Sequence, residues 1–310
     1  MQRYILSRIL QAIVALWLLS TTVFFVLHIT GDPVAFLLAP DATAYEEELL
    51  REQLGLNRPV FVQYAIFMKN AWTGDFGKST TRKIPAMDLL VERFPNTLKL
   101  AMSSIVVSFL LGIPLGVTAA LNRNSVWDGL VKVIALFGQA APSFWLAILV
   151  IILFAAIPAE NGLPALPSFG SGSLAHLVLP TLVLSWSVMA GVVRLTRSSM
   201  LEVLDSEFVK FARIKGLSEY LVIWKHATRN SIIPVLTFWG LALAGLLNGT
   251  VVVEVVFAWP GIGRMLLEGV AQRDFPVVEA AIMASGVFYI LMALVVDIIY
   301  AYVDPRIRLE

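Results

Sequence analysis

The sequence predicts an all-α, polytopic membrane protein: six transmembrane helices, a small external helical domain and amphipathic helices on the cytoplasmic side. Three observations predict it. Of the 310 residues, 58% are hydrophobic and only 15% charged, where a soluble domain carries about 25% charged residues. The apolar residues fall in long runs, each near the ~20 residues that cross ~30 Å of hydrocarbon. The basic residues gather in particular short segments between the runs. The mean hydropathy of +0.80 agrees with this class. A net charge of +1 provides no global field for nucleic acid. The absence of cysteine excludes disulfides, thiolate zinc sites and cysteine nucleophiles.

The six candidate spans are Ile9–Ile29, Leu98–Leu121, Val133–Ile157, Leu174–Val193, Ile232–Val253 and Val277–Val303. The first is longer than a signal-peptide core and lacks a small-residue cleavage site after it, so it reads as a retained signal anchor. The 122–132 turn carries Arg123 and Lys132. The 194–231 segment carries Arg194, Arg197, Lys210, Arg213, Lys215, Lys225 and Arg229, whereas 158–173 has no Lys or Arg. The positive-inside rule therefore places 194–231 and both termini in the cytoplasm, which an even number of spans requires. Residues 1–29 are the N-terminal tail and first span, 30–97 an external helical segment, and 98–310 the transmembrane core. Within the external segment, Ala44–Leu54 and Val60–Trp72 have helical spacing, punctuated by Gly55, Pro59, Gly74 and Gly77.

Pro114, Pro142, Pro180 and Pro234 interrupt or edge the spans, so a kinked bundle around a pathway is expected. Gly112-x-x-x-Gly116 and Gly245-x-x-x-Gly249 permit close helix approach, read as intramolecular packing in preference to a subunit interface. Residues 254–276 form an external loop too broken to span, with Trp259 expected at the membrane interface. Ionisable residues in the spans are few: Lys99, Lys132, Glu254, Glu279 and Asp297, the last read as an ion-pair partner of Arg194 or Arg197. No central acidic relay supports proton- or sodium-coupled transport by the chain alone.

Several chemistries fail on spacing. Gly74–Ser79 ends in Gly-Lys-Ser, but Trp72 stands where a phosphate loop needs its first Gly, and no other Gly-Lys-Ser/Thr exists. His28, His176 and His226 form no His-Glu-x-x-His pair, so no metal is assigned. No Gly-x-Ser-x-Gly elbow is present.

The loop 195–231 reads as two short helices broken at Gly216, suited to receive a push from another protein. Phe208, Phe211 and Ala212 fall at i, i+3 and i+4 and are expected to share a face. Lys210, Arg213 and Lys215 point elsewhere. Ser206 is the candidate cap of the first helix. Ser218 is that of a second helix carrying Leu221 and Trp224. An amphipathic linker resting on anionic lipid is the alternative.

This stretch resembles the cytoplasmic coupling loop of ABC importer permeases of the dipeptide/oligopeptide/nickel, binding-protein-dependent family. The resemblance rests on Arg213-Ile-Lys-Gly-Leu-Ser218, then His226-Ala-Thr-Arg-Asn230 and Pro234. It extends over the chain: Gly31-Asp32-Pro33, Leu54-Gly55-Leu56, Gly74–Gly77, Arg197–Leu201, Phe257–Arg264, Arg273–Val277 and Asp304–Arg308. Lys210, Phe211 and Ala212 stand where the wider importer family has Glu-Ala-Ala, and His226–Arg229 replace its later Ile-x-Leu-Pro.

The resemblance implies a non-enzymatic subunit of an ATP-driven importer of di- or oligopeptides in the bacterial inner membrane. Nickel, metal-chelate or glutathione import is the alternative within the family, and a stand-alone secondary transporter is the alternative outside it. Partners would be a second permease, two cytoplasmic ATPases that bind the ATP and Mg, an external substrate-binding protein and membrane lipid, with no nucleic acid. The resemblance further implies ATPase coupling by Phe208, Lys210, Phe211, Ala212, Arg213, Lys215, Gly216, His226, Arg229 and Asn230. Glu254, Trp259, Pro260, Gly261, Gly263 and Arg264 would shape the external loop near the binding protein.

Overall fold

The computed structural model describes residues 2–30, 43–53 and 55–303, together with Val34 and Leu38. Gly31-Asp32-Pro33, Leu54 and Asp304–Arg308, which carry part of the family resemblance, lie outside the described residues. Among the described residues the regular structure is helical, apart from one isolated bridge between Lys78 and Pro85. The helices are α1 (Gln2–Thr30), α2 (Ala44–Gln53), α3 (Val60–Thr73), α4 (Ala86–Leu121), α5 (Val126–Ala140), α6 (Ser143–Ile151), α7 (Leu174–Leu204), α8 (Glu207–Ile214), α9 (Ile233–Val256), α10 (Ile262–Ala271) and α11 (Phe275–Val303).

Among the described residues, five helical stretches have the length and apolarity to cross a membrane: Ile5–Val26, Ala86–Leu121, Ser143–Glu160, Leu174–Leu204 and Phe275–Ile298. The remaining expected span, Ile232–Val253, forms α9, whose 24 residues extend about 36 Å at 1.5 Å per residue. The expected span Val133–Ile157 is corrected. It is broken at Pro142, because the residue before a proline is pushed out of the α region. Ala141 is extended, with ψ 133°. The first part belongs to α5. The crossing helix begins at Ser143 and runs through a π-helical turn, Ile152–Ala156, to Glu160.

The chain divides into two compact units, Met1–Asn96 with Pro260–Glu310, and Thr97–Trp259. In the first unit, α1 packs against α11 and α3. Thr21 Oγ1 and Tyr64 OH share a hydrogen bond of 2.7 Å, and Phe24 sits edge-on to Tyr64. Asp297 pairs with Arg8 at 3.4 Å, not with Arg194 or Arg197 as expected from sequence. The neighbouring helix α1 supplies its cation. A core of Leu89, Leu90, Ile262, Met265, Val277, Ala280 and Ala281 joins the start of α4 to α10 and α11.

In the second unit α7 is central. Thirteen of its 31 residues are buried, and it packs on α5, α6 and α9. Gly112 and Gly116 bring α4 against α7. A Cβ on Gly112 would lie 2.8 Å from Val192, and one on Gly116 would lie 2.6 Å from Thr196. This pattern is thus spent on intramolecular packing, as the sequence reading expected. Hydroxyl bonds reinforce the contact: Ser103 Oγ with Thr181 Oγ1 at 2.8 Å, and Ser108 Oγ donating to the Ser185 carbonyl at 2.9 Å. A Cβ on Gly245 of the second pattern would meet no atom within 4 Å.

Candidate functional site

The loop after α7 is built from its ends inward. Ser206 occupies the N-cap backbone position of α8, but its hydroxyl donates back to the Val203 carbonyl and makes no forward cap. The other end closes as the sequence predicts. Gly216 adopts φ +77°, its N–H bonds the Arg213 carbonyl at 3.0 Å, and the Leu217 N–H reaches Ala212 at 3.4 Å. Such a left-handed stop favours glycine because it has no Cβ.

The face of α8 that carries its packing differs from the expected one. Val209 and Ala212, three residues apart, are buried with Val117, Ala120, Met200, Val222 and Ala227. Ala212 therefore anchors the helix to the ends of α4 and α7. Phe208 and Phe211, expected to share its face, lie on the adjoining stripe and are 44% and 57% exposed. The three-residue step between Val209 and Ala212 fixes this rotation, because it offers small apolar side chains to a tightly packed surface.

The second helix of the loop is not α-helical throughout. Leu221–Ala227 is π-helical, with the Thr228 hydroxyl donating to the Ile223 carbonyl at 2.9 Å. Val222 and Ala227 are five residues apart and both fully buried. A five-residue repeat outruns one α-turn, and widening the turn keeps both side chains on the core face. Ser218 supports the start through its carbonyl, which accepts from Val222 N–H at 3.0 Å.

The outward surface of the loop is apolar with a basic border. Phe208, Phe211, Ile214, Tyr220 and Trp224 are exposed. Lys210 pairs with Glu207 at 2.8 Å and Arg213 with Glu219 at 2.6 Å. The Glu207 carboxylate raises the pKa of Lys210, and Arg213 lowers that of Glu219, so the border stays charged at neutral pH. Lys215 Nζ lies 4.7 Å from the Phe211 ring centre. His226 is half-buried, with its carbonyl accepting from Asn230 Nδ2 at 2.8 Å, and Arg229 is exposed. Nothing in this set is arranged for bond-making chemistry. It is a short amphipathic helix seated through Val209 and Ala212, with its aromatic side chains turned outward.

The expected external-loop residues divide between the two units. Glu254 is fully buried in the second, where Thr97 Oγ1 donates to its Oε1 at 2.7 Å. Trp259 is buried too, its N–H bonded to the Glu254 carbonyl at 2.8 Å. It is a packing residue and not the exposed interface anchor expected from sequence. In the first unit, the Pro260 carbonyl accepts from Asn96 Nδ2 at 3.0 Å, Gly261 starts α10, Gly263 is buried, and Arg264 pairs with Glu268 at 2.7 Å. The segment expected as an external loop contains the ten-residue helix α10.

Two buried carboxylates were given no role by sequence reasoning, Asp128 and the Asp274 of the Arg273–Val277 motif. Asp128 lies at the start of α5, outside the crossing segments. Both its oxygens face Arg197 of α7, at 2.7 and 2.9 Å, and Lys132 Nζ is at 2.8 Å. The Arg197 guanidinium, followed by Lys132 and the Asn124 N–H, holds its carboxyl well below the usual range, against burial. Ser125-x-x-Asp128 was the available signal, since Ser125 accepts the Asp128 N–H at 3.2 Å as a helix cap. Asp274 caps α11 and takes the Ser79 hydroxyl and the N–H groups of Thr80 (3.1 Å) and Thr81 (3.2 Å). Burial pushes its carboxyl up, but these hydrogen bonds outweigh it and leave it below the ordinary value. Its signal was an Asp two residues before Pro276 at a helix start. The Gly74–Ser79 segment is explained as well, because its Ser79 hydroxyl is committed to Asp274.

Comparison with known proteins adds a second line of observation. Residues 112–309 match the model of the binding-protein-dependent transport system inner membrane component, and residues 1–101 match that of the N-terminal part of such membrane components. The chain is 41% identical over 309 residues to the glutathione transport system permease protein GsiC of Escherichia coli (strain K12), covering 99% of both chains. It is 40% identical, over the same shares, to GsiC of Shigella flexneri serotype 5b (strain 8401). Among solved structures it resembles the inward-facing MetNI methionine ABC transporter, with TM-score 0.56 and 17% identity over 70% of this chain and 97% of that one. It also resembles a bacterial alginate ABC transporter solved with its alginate-bound periplasmic protein, with TM-score 0.53 and 14% identity over 70% of this chain and 78% of that one. At these identities the structural likeness speaks for the fold.

Proposed function

The chain belongs to the family of binding-protein-dependent transport system inner membrane components, and from that premise we propose that it forms half of an import pathway for short peptides, glutathione included. As a permease subunit of an ABC importer it carries no ATPase site of its own. This membership also removes the stand-alone secondary transporter from consideration. The second permease, the two cytoplasmic ATPases and the external binding protein are proposed partners. The bacterial inner membrane, with cytoplasmic termini, is the proposed location.

The observation that carries the cargo is the 41% identity, over nearly the whole chain, to permeases named for glutathione transport. Glutathione is itself a tripeptide, so this reading narrows the short-peptide expectation. The test is uptake of labelled glutathione and of labelled dialanine by cells holding the complete transporter, with the chain deleted and restored. Restored glutathione uptake alone fixes the narrower cargo. Restored dialanine uptake alone returns the reading to peptides, and restoration of neither rejects both.

In the proposed mechanism, closure of the ATPase pair displaces α8, whose exposed Phe208 and Phe211 sit in a groove of the ATPase. Val209 and Ala212 pass the displacement to α4 and α7. Gly216→Pro tests the role of the hinge, because proline fixes φ near −65° where the chain needs +77°. Loss of both uptake and binding-protein-stimulated ATP hydrolysis is expected. Retention of both rejects the assignment.

A further inference from the structure

We propose that Asp128 and Arg197 form a positioning latch that makes α5, α7 and α8 move as one body when the ATPases act. The proposal rests on the coupling reading above. Each link in it lies within the unit Thr97–Trp259.

The first link is α8 itself, seated through Val209 and Ala212 on Met200 of α7. Arg197 lies less than one turn before Met200, at the same end of α7. Its guanidinium holds the Asp128 carboxylate through Nε at 2.7 Å and Nη2 at 2.9 Å. Such a fork fixes orientation as well as distance. Asp128 cannot swing away, because the Asn124 N–H binds its Oδ2 at 3.1 Å and Lys132 closes on it at 2.8 Å.

Beyond the pair, α5 follows α7 closely. Val131 and Ala135 pack on Ala190 and Val193. Gly138 lies beneath the Trp186 ring, where a Cβ would come within 2.0 Å of Cδ1. The Trp186 indole N–H donates to the Ile134 carbonyl at 3.1 Å. Then α5 ends at the Pro142 break, from which the crossing helix starts. A push on α8 therefore has a continuous path to that break, with the ion pair as its one charged joint. A buried ion pair adds little net stability over a well-packed apolar pair, but it admits far fewer geometries. That property suits a joint that must not slip.

The chain has no cysteine, so labelled before assembly it adds no background of its own to a label pair. Glu207→Cys on α8 and Gly129→Cys on α5 are exposed positions, and Gly129 has open space around it. Spin-label distances are measured in the complete complex, nucleotide-free and trapped with ATP and vanadate. With the latch intact, one narrow distance is expected, identical in both states. Asp128→Asn and Arg197→Gln singly should broaden that distance, shift it on trapping, and lower transport per ATP hydrolysed several-fold. The double variant separates positioning from folding. Removing both charges should restore thermal stability while the distance stays broad.

Narrow, unchanged distances in the variants overturn the proposal. So does a distance that shifts on trapping with the latch intact, or a double variant that recovers both stability and narrow distance. If the ATPases fail to co-purify with the unsubstituted chain, the coupling reading falls and the proposal with it. If they co-purify and the distances in the single variants do not respond, the proposal falls alone.

Discussion

Two buried aspartates anchor the two units of this molecule by opposite means. Asp128 is held by cations, with Arg197 on both oxygens and Lys132 beside it. Asp274 is held by neutral donors, the Ser79 hydroxyl and the backbone N–H groups of Thr80 and Thr81. Each stands at a helix start, where the helix dipole favours negative charge. Asp128 joins two helices to one another. Asp274 ties the turn from Ser79 to a helix start. The ionic anchor is costly to break from one side, because a charge is left behind in a buried place. In the neutral anchor, neutralising Asp274 leaves only uncharged donors behind, and losing one donor leaves its carboxylate the others.

The largest expected effect tests this asymmetry directly. Arg197→Ala leaves the Asp128 carboxylate buried with its main partner gone, at a cost of about 3–5 kcal/mol. Denaturant unfolding of the detergent-solubilised chain reads it. If the loss is no greater than for Asp274→Asn, the distinction between the two anchors collapses. Asp274→Asn itself keeps one acceptor but turns an amide donor toward other donors, for about 1–3 kcal/mol. Its sharper signature is local, since limited proteolysis should open the Ser79–Pro85 turn while cleavage around Asp128 is unchanged.

Acid sharpens the comparison further. Both carboxyls sit below their ordinary value in the folded protein. Their stabilising contribution is therefore complete above the unfolded value of about 4 and is lost as pH falls through the folded one. Melting temperature against pH should thus fall below about pH 4. Asp274→Asn removes its share of that fall, and Asp128→Asn removes the portion reaching lower pH. A profile identical in both variants would contradict these assignments. The smallest effect belongs to the half-exposed Lys132, where Lys132→Ala should change stability by under about 1 kcal/mol and less in high salt. A larger loss would make Lys132 an equal member of the ionic anchor.

The legibility of these features follows their range along the chain. The stop at Gly216 was readable because a left-handed helix end is a local demand on one residue. The break at Pro142 was flagged as an interruption, yet the span was drawn across it, since apolarity continues on both sides while the backbone does not. On α8 the spacing of Phe208, Phe211 and Ala212 identified a helix face. Small residues, however, were needed against the core, and the aromatic ones were left outside. Trp259 was misplaced for a related reason. An aromatic beside Pro-Gly reads as an interface anchor until a pocket is found to bury it.

By itself the sequence determined the class of the molecule, most of its crossing segments, the loop broken at Gly216 between two of them and, through the motifs along its length, its family. These depend on composition, period and local backbone preference, which act over a few residues. Only the tertiary structure decided which polar groups are buried and with whom. Asp128 and Arg197 are 69 residues apart, and Ser79 and Asp274 are 195 apart. A charge on a helix is compatible with solvent, lipid headgroups or a buried partner, and the choice is made when helices pack and one specific cation or hydroxyl arrives within hydrogen-bond reach.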